Sequence, residues 1–414
     1  MELIQKNIIK LNSLDSDIEL QYNLEFEDSY DNSFIFNQEL YEISDKYKRM
    51  IDNVKNPRIW DFYKKLSNEC ELLHFTLKNK TQNVGVANYD PISRAFFKMW
   101  EICVDFKLLD SSSNKIIYSA LAEGPGGFIE CFNYYRRKYK PETELYNDVI
   151  KCISLRTTNN VPGWKKSNRI INECLNCEIS YGADNTGDLY KKENIIEYAK
   201  LFDEQKADLA SGDGGFDFSD DYANQEVNAF QLIFCELVAG MLTLRIGGNF
   251  VVKVFDIFNY CSIDMLYIMC KHFNEVIITK PHSSRTANSE KYIVCKGFKG
   301  ITEDEKDNLL NIVEEINILI YQKKVIKRLL KNEIPTEFLD VITSCNLHFL
   351  SKQIKGILKI LAIIEDKLSN DTINEIKKEQ AVYATAWCEK YDFPINLRCR
   401  YLRDENPYNF IPNF

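Results

Sequence analysis

Lys253 stands in the run Phe250-Val251-Val252-Lys253-Val254-Phe255, an ammonium among apolar neighbours in a segment that reads as a central strand. Burying that charge is costly without a compensating partner, unless the lysine snorkels or the strand lies at an edge. Two acids are suitably placed. Asp213, in Ser211-Gly212-Asp213-Gly214-Gly215-Phe216, follows the strand-like Asp208-Leu209-Ala210, and Glu290 opens the strand-like run from Lys291 to Cys295. A third motif, Glu123-Gly124-Pro125-Gly126-Gly127-Phe128, separates the strand-like Lys115-Ile116-Ile117-Tyr118 from a helical pattern over Ile129 to Arg137. Its glycines allow a backbone to approach a ligand closely, and a following helix N-terminus offers unpaired N–H groups. The spacing is not GxGxxG and no Lys-Ser/Thr follows, so neither a dinucleotide fingerprint nor a phosphate loop is supported. Taken alone, the motif is equally a plain tight turn.

The elements around these residues alternate. From about Asn88 to Lys299, short apolar runs (Val149 to Leu155, Asn249 to Phe255, Glu275 to Thr279) are interleaved with helical patterns over Gln225 to Leu244 and near Ile263 to Phe273. Such alternation predicts an α/β fold, a mostly parallel sheet with helices on both faces. The last two strand-like runs are too close for a helix between them, which predicts an antiparallel hairpin at the sheet edge. In parallel sheets ligands gather at the carboxyl ends of strands. Gly124 to Phe128 and Asp213 are therefore expected to meet there, with Lys253 and Glu290 pointing in from neighbouring strands.

The flanks read differently. Residues 1–87 begin with an acidic stretch (Asp15, Asp17, Glu19, Glu25, Glu27, Asp28, Asp31) and continue as a mostly helical region from Gln38, interrupted at Pro57. That stretch shows no chemistry. Residues 301–414 are helical again, with Leu309, Ile312, Val313, Ile316 and Ile320 at helical spacing. The expected division is 1–87, 88–300 and 301–414.

The chain has 414 residues, with 52 Lys+Arg against 61 Asp+Glu, a formal charge of −9. Apolar residues at 45% and charged residues at 27% exclude a disordered chain. The acidic balance weighs against a general nucleic-acid coat but leaves room for a local basic groove. Candidates for that groove are Arg136-Arg137-Lys138 with Lys140, and Lys165-Lys166 with Arg169. Lys323, Lys324, Lys327, Arg328 and Lys331 form a further run, either a solvated face or an RNA contact. Trp164 is either a core residue or a stacking platform for a base. The 13 cysteines are scattered, and Cys174-Leu175-Asn176-Cys177 lacks a second pair or a nearby His, so reduced thiols and no required metal are expected. No secretory signal is visible, and Ala229 to Leu244 reads as a buried helix because it carries Glu236. The expected setting is intracellular, with no membrane partner.

The spaced motifs together resemble the FtsJ-type, RrmJ-like RNA 2′-O-methyltransferases. The similarity is greatest to the eukaryotic and large-DNA-virus branch acting on the first transcribed nucleotide of capped mRNA. The matching stretches are Ser93 to Lys98, Gly124 to Phe128, Gly187-Asp188-Leu189, Asp213 to Phe216, Gly247 to Phe258, and Lys280-Pro281 through Ser284-Arg285 to Gly297. The resemblance implies a Rossmann-like methyltransferase sheet with an antiparallel last strand, and S-adenosyl-L-methionine as methyl donor. It implies a catalytic tetrad of Lys98, Asp213, Lys253 and Glu290, and the apolar strand neighbours of Lys253, with Lys98 close by, predict a depressed pKa that lets it act as base. It places the donor at Ala122, Glu123, Gly124, Pro125, Gly126, Gly127 and Phe128, with Asp188 and Leu189 near the adenine. Ser93, Arg94 and Asn288 match RNA-facing positions. The family's usual Asp five residues before the motif proline is Ala120 here, and Glu123 is expected to take over part of its role. The implied partners are a capped mRNA 5′ end and the capping or transcription machinery. The implied compartment is the nucleus for a cellular enzyme, and the host cytoplasm or virion for a viral one. An rRNA or tRNA 2′-O-methyltransferase and a catalytically silent RNA- or capping-partner-binding subunit are the competing readings.

Overall fold

The structure, a computed structural model, describes residues 7–15, 17–74, 85–140, 147–158, 163–164, 167, 177–215 and 224–403. Lys165, Lys166, Arg169, Cys174 and Phe216 lie outside the described residues. In chain order the strands are β1 (Ile8–Leu11), β2 (Tyr22–Glu27), β3 (Ile117–Leu121), β4 (Val149–Ile153), β5 (Cys177–Ser180), β6 (Ala207–Gly212), β7 (Leu244–Val254), β8 (Phe273–Thr279), β9 (Lys291–Phe298) and β10 (Val325–Leu330). The helices are α1 (Gln38–Arg49), α2 (Pro57–Leu66), α3 (Ala95–Phe106), α4 (Gly127–Tyr139), α5 (Lys192–Lys200), α6 (Gln225–Thr243), α7 (Tyr260–His272), α8 (Glu303–Tyr321), α9 (Thr336–Asp366) and α10 (Asn370–Lys390).

Among the described residues one sheet has the order β1-β8-β9-β7-β6-β3-β4-β5. β5, β4, β3, β6 and β7 run parallel, as the alternation predicts, and β9 is antiparallel to both β7 and β8. Helices α3, α4 and α10 cover one face, and α5 to α8 the other. This is a Rossmann-like α/β fold. The sequence order reverses between β3 and β6, the crevice where ligands bind in open sheets of this kind.

The sheet edge differs from the expectation. β8 and β9 do pair antiparallel, but β9 slots between β7 and β8, and β1 closes the edge by pairing Ile8 with Thr279. The cause is the composition of β9. Lys291 to Cys295 are buried in succession, and a strand covered on both faces belongs inside a sheet.

The N-terminal region is not simply helical either. β2 pairs antiparallel with β10, with Val325 opposite Glu27 and Arg328 opposite Glu25. The basic run thus lies along a strand and its flanks, not on a helix, and it faces the acidic stretch. Lys324 pairs with Asp28, while Arg328 forks onto Asp264 at 2.8 and 2.9 Å. Opposite charges across an antiparallel pair stabilise it, so much of this run serves the fold. Pro57 begins a helix and does not break one. It is the first residue of α2, where Asn56 caps the Arg58 N–H at 3.0 Å.

The other helical patterns hold with small changes. A Thr302–Glu305 capping box starts α8, whose Leu309, Ile312, Val313 and Ile316 are buried while Ile320 is exposed. Helix α6 is long and apolar enough to cross a membrane by length and composition, yet it is mostly buried against β3, β6 and β7. Gly356 of α9 lets that helix touch the loop before β9, since a Cβ there would lie 3.0 Å from the Ala287 nitrogen.

Candidate active site

Because β9 runs antiparallel, its start lies at the same sheet end as the carboxyl ends of β6 and β7. Asp213 leaves β6, Lys253 is the penultimate residue of β7, and Glu290 immediately precedes β9. The Lys253 Nζ donates to the Asp213 carbonyl at 2.9 Å and lies 3.3 Å from Asp213 Oδ1. Lys98, one turn into α3, places its Nζ 2.6 Å from Glu290 Oε1. Tyr292 joins the two pairs. Its fully buried phenol lies 3.3 Å from Asp213 Oδ1 and 3.2 Å from Glu290 Oε1, and its register partner is Lys253. Sequence reasoning missed this residue. The signal was present, because alternate strand residues share a face and Tyr292 stands two after Glu290. Gly215 closes the group from above, where a Cβ would meet Lys253 Nζ at 2.9 Å.

The electrostatics correct one expectation. Burial works to lower the Lys253 pKa, but Asp213, Glu290 and Glu236 overcome it and hold the amine above the ordinary lysine value. Lys253 is therefore a firm cation in this state, not a depressed amine. Burial works to raise Glu290, and Lys98 and Lys253 pull it down to about 2. Glu236 hides in the apolar α6 and accepts the Gly214 N–H at 2.9 Å, and burial pushes its carboxyl up to about 8. Burial also brings Lys280 down to about 7, against the opposing charge of Glu290.

The Gly-rich motif forms the turn from β3 into α4. Ala122 and Gly126 both have positive φ, 51° and 99°, a conformation that is unusual for alanine. The N-cap residue of α4 is Gly126, which has no side chain to cap the N–H groups of the first turn at the sheet crevice. Gly124 and Pro125 lie within this turn, and Phe128 is buried on α4. Gly127 packs closely on Ser93, which sets Ser93 beside the turn. Glu123 turns inward between β3 and β6. Its Oε1 accepts from Tyr118 at 2.9 Å and from Ser211, its Oε2 is buried with no hydrogen-bond partner among the described residues, and burial drives its pKa far upward. Gly187 brings the next loop against the end of β4, with Asp188 accepting the Tyr190 N–H at 3.0 Å and Leu189 buried.

The remaining candidates are held by protein groups. Arg94 donates to the carbonyls of Glu71 and Ser283, both at 3.1 Å, and Asn288 accepts from Lys280 at 2.6 Å. The Arg136-Arg137-Lys138 cluster sits at the far end of α4, where Arg136 is buried on Asp148 and Lys138 pairs with Asp392 at 2.6 Å. Lys140 there donates to the Ser112 carbonyl at 2.9 Å. That cluster serves the fold and does not line the crevice. Trp164 is buried in the core at 6% exposure, which favours its core reading over a stacking platform. Among the described residues no group of His, Cys, Asp and Glu could hold a metal ion, and the cysteines are free thiols.

Comparison with known proteins agrees with this geometry. The profile of the FtsJ-like methyltransferase family matches residues 91–298. The cap-specific mRNA (nucleoside-2′-O-)-methyltransferase 1 of Dictyostelium discoideum is 30% identical over 336 residues, covering 78% of this chain and 42% of that protein. Its Xenopus laevis namesake is 28% identical, over 66% of this chain and 32% of that protein. The cap-specific mRNA (nucleoside-2′-O-)-methyltransferase 2 of Mus musculus is 27% identical, over 67% of this chain and 36% of that protein. The chain spans less than half the length of each of these relatives. With the family profile covering half of its residues and the motifs in place at the sheet crevice, the chain belongs to the FtsJ-like methyltransferase family.

Proposed function

We propose that this chain transfers a methyl group from S-adenosyl-L-methionine to the ribose 2′-oxygen of the first transcribed nucleotide of capped mRNA. The observation that carries the reading is the connected group Lys98–Glu290–Tyr292–Asp213–Lys253 beside the glycine-capped α4 turn. The donor supplies an electrophilic methyl on a cationic sulfur. The residues present fit it: the first-turn N–H groups of α4, behind a glycine cap, suit its carboxylate, and the Asp188–Leu189 loop its adenine.

A 2′-hydroxyl is a poor nucleophile near neutral pH, so the site must orient it and stabilise charge on its oxygen. Lys253 Nζ, held by the Asp213 carbonyl, presents a cation to that oxygen. The carboxylates that raise its pKa also keep the amine protonated, so that it holds no lone pair to accept a proton. Once a second positive charge enters beside Asp213 and offsets them, Lys253 first releases its proton to water, and the neutral amine then takes the proton of the 2′-hydroxyl. Lys98, paired with Glu290, completes the positive side of the pocket.

Purified protein and labelled donor, offered short RNAs with and without a methylguanosine cap, test the reading, with the methylated ribose mapped by nuclease digestion. Transfer to the first nucleotide of capped RNA only is the expected result. Equal transfer to uncapped RNA would leave the chemistry standing and overturn the cap assignment. The capping or transcription machinery is the partner class that this substrate implies.

A further inference from the structure

We infer that Glu71, outside the segment matched by the family profile, is a positioning residue of this site: its carboxylate fastens Arg285 and Arg94 and so keeps Glu290 against Lys98. The inference rests on the reading of the tetrad given above. Glu71 lies in a short 3-10 turn, Glu71–Leu73, and is 3% exposed. Its Oε2 accepts from Arg285 Nε at 3.0 Å and its Oε1 from Arg285 Nη2 at 2.7 Å, a two-pronged pairing that fixes direction as well as distance. Asn68 donates to Oε2 at 2.9 Å, and Arg94 Nη1 stands 3.5 Å from Oε1.

Both arginines lead to the tetrad. Arg94 is the cap residue of α3, one helical turn before Lys98. Arg285 belongs to the loop that ends at Glu290. The rest of that loop is already braced. Glu101 accepts the His282 N–H at 2.6 Å, Gln353 of α9 donates to the Ala287 carbonyl at 3.3 Å, and Lys280 holds the Asn288 and Glu290 carbonyls at 2.8 and 2.7 Å. At Arg285 the brace among the described residues is Glu71. Burial works to raise the Glu71 pKa, and the two guanidiniums hold it below the ordinary value, so the carboxylate stays charged. Without it, Arg94 and Arg285 repel each other, and the acids that Arg285 also feels are Glu290 first and Asp61 after it. A released Arg285 competes with Lys98 for Glu290 and disturbs the group that receives the ribose.

The test uses the full chain with Glu71→Gln, Arg285→Met and the double variant, read by methyl transfer and by hydrogen exchange of residues 281–290. At a temperature where every variant is folded, Glu71→Gln should lower kcat about 10- to 100-fold, the scale of a small misplacement of reacting groups. The KM for the donor should stay within about 2-fold, because the α4 turn is not part of this contact. The double variant should be no worse than the poorer single one, and exchange across 281–290 should quicken in each. A variant with lowered Tm but unchanged kcat and unchanged exchange in that loop overturns the inference and leaves Glu71 a stabilising residue. If the parent chain transfers no methyl group, the proposed function falls, and the exchange comparison alone still decides Glu71. Should Glu71→Gln fail to fold, Arg285→Lys keeps the charge and loses the fork, with the same, smaller change in exchange expected.

Discussion

The two ends of the central sheet handle buried charge in opposite ways. At the amino end, Arg136 forks onto Asp148 at 2.7 and 3.0 Å and also donates to the Ser113 and Asp110 carbonyls, while Asp148 accepts the Ile116 N–H at 2.8 Å. Charge there is matched between two side chains, and backbone groups take up more of their hydrogen bonds. At the carboxyl end the partners are shared: Lys253 feels three carboxylates, Tyr292 divides one proton between two acids, and Glu123 and Glu236 each bury an oxygen without a hydrogen-bond partner among the described residues. A closed pair specifies structure. An open network has capacity left for a ligand, and that difference separates a brace from a reactive site more sharply than burial does.

Breaking the open end should remove chemistry while sparing the fold. Lys253→Ala is expected to reduce methyl transfer by about 10³-fold or more, within the usual range for losing a proton-transfer group. Donor binding measured by calorimetry should survive. A variant that keeps a tenth of the parent rate would place the decisive group elsewhere. The closed end should show the reverse. Arg136→Met removes the charge partner of the buried Asp148 and should cost about 3–5 kcal/mol in chemical denaturation, with transfer per folded molecule unchanged. A loss below about 1 kcal/mol would mean that Asp148 finds water or another donor.

A third expected effect sharpens the contrast through pH. Glu236 has a folded pKa of about 8, above its ordinary value of 4.5, so the native state binds more protons between these values. Its contribution to stability is fully present below about 4.5 and is lost as pH rises through about 8. Glu236→Gln should therefore gain on the parent in Tm as pH increases from 5 to 8. A parent–variant difference that does not change with pH would show that Glu236 ionises normally.

Much of the site was legible because chemistry and topology coincide. Lys253 in an apolar strand, Asp213 after a strand and glycines before a helix all predict a meeting at strand ends, and they meet. The missed features are those that distant segments decide. Lys253 was expected to be a depressed amine because its neighbours are apolar, but its charge state is set by Asp213, Glu236 and Glu290 on three separate elements. The pairing of β2 with β10 joins residues about 300 positions apart, and two register irregularities blur its alternation. Opposite charge in the two runs was the available clue. Glu71 gave no signal, because an acid in an ordinary helical stretch looks like a solvated one.

The seating of β9 between β7 and β8 has a consequence for how the protein is made. During synthesis, β7 must wait with one edge open until Phe298 has left the ribosome, and β1 waits still unpaired for a strand more than 260 residues downstream. At about 5–20 residues per second the wait is a few seconds for β7 and tens of seconds for β1. Glu290 arrives with the last strand, so the pocket is assembled only at the close of this period and no partial product carries it. The exposed β7 edge is meanwhile a ready template for pairing with another nascent chain.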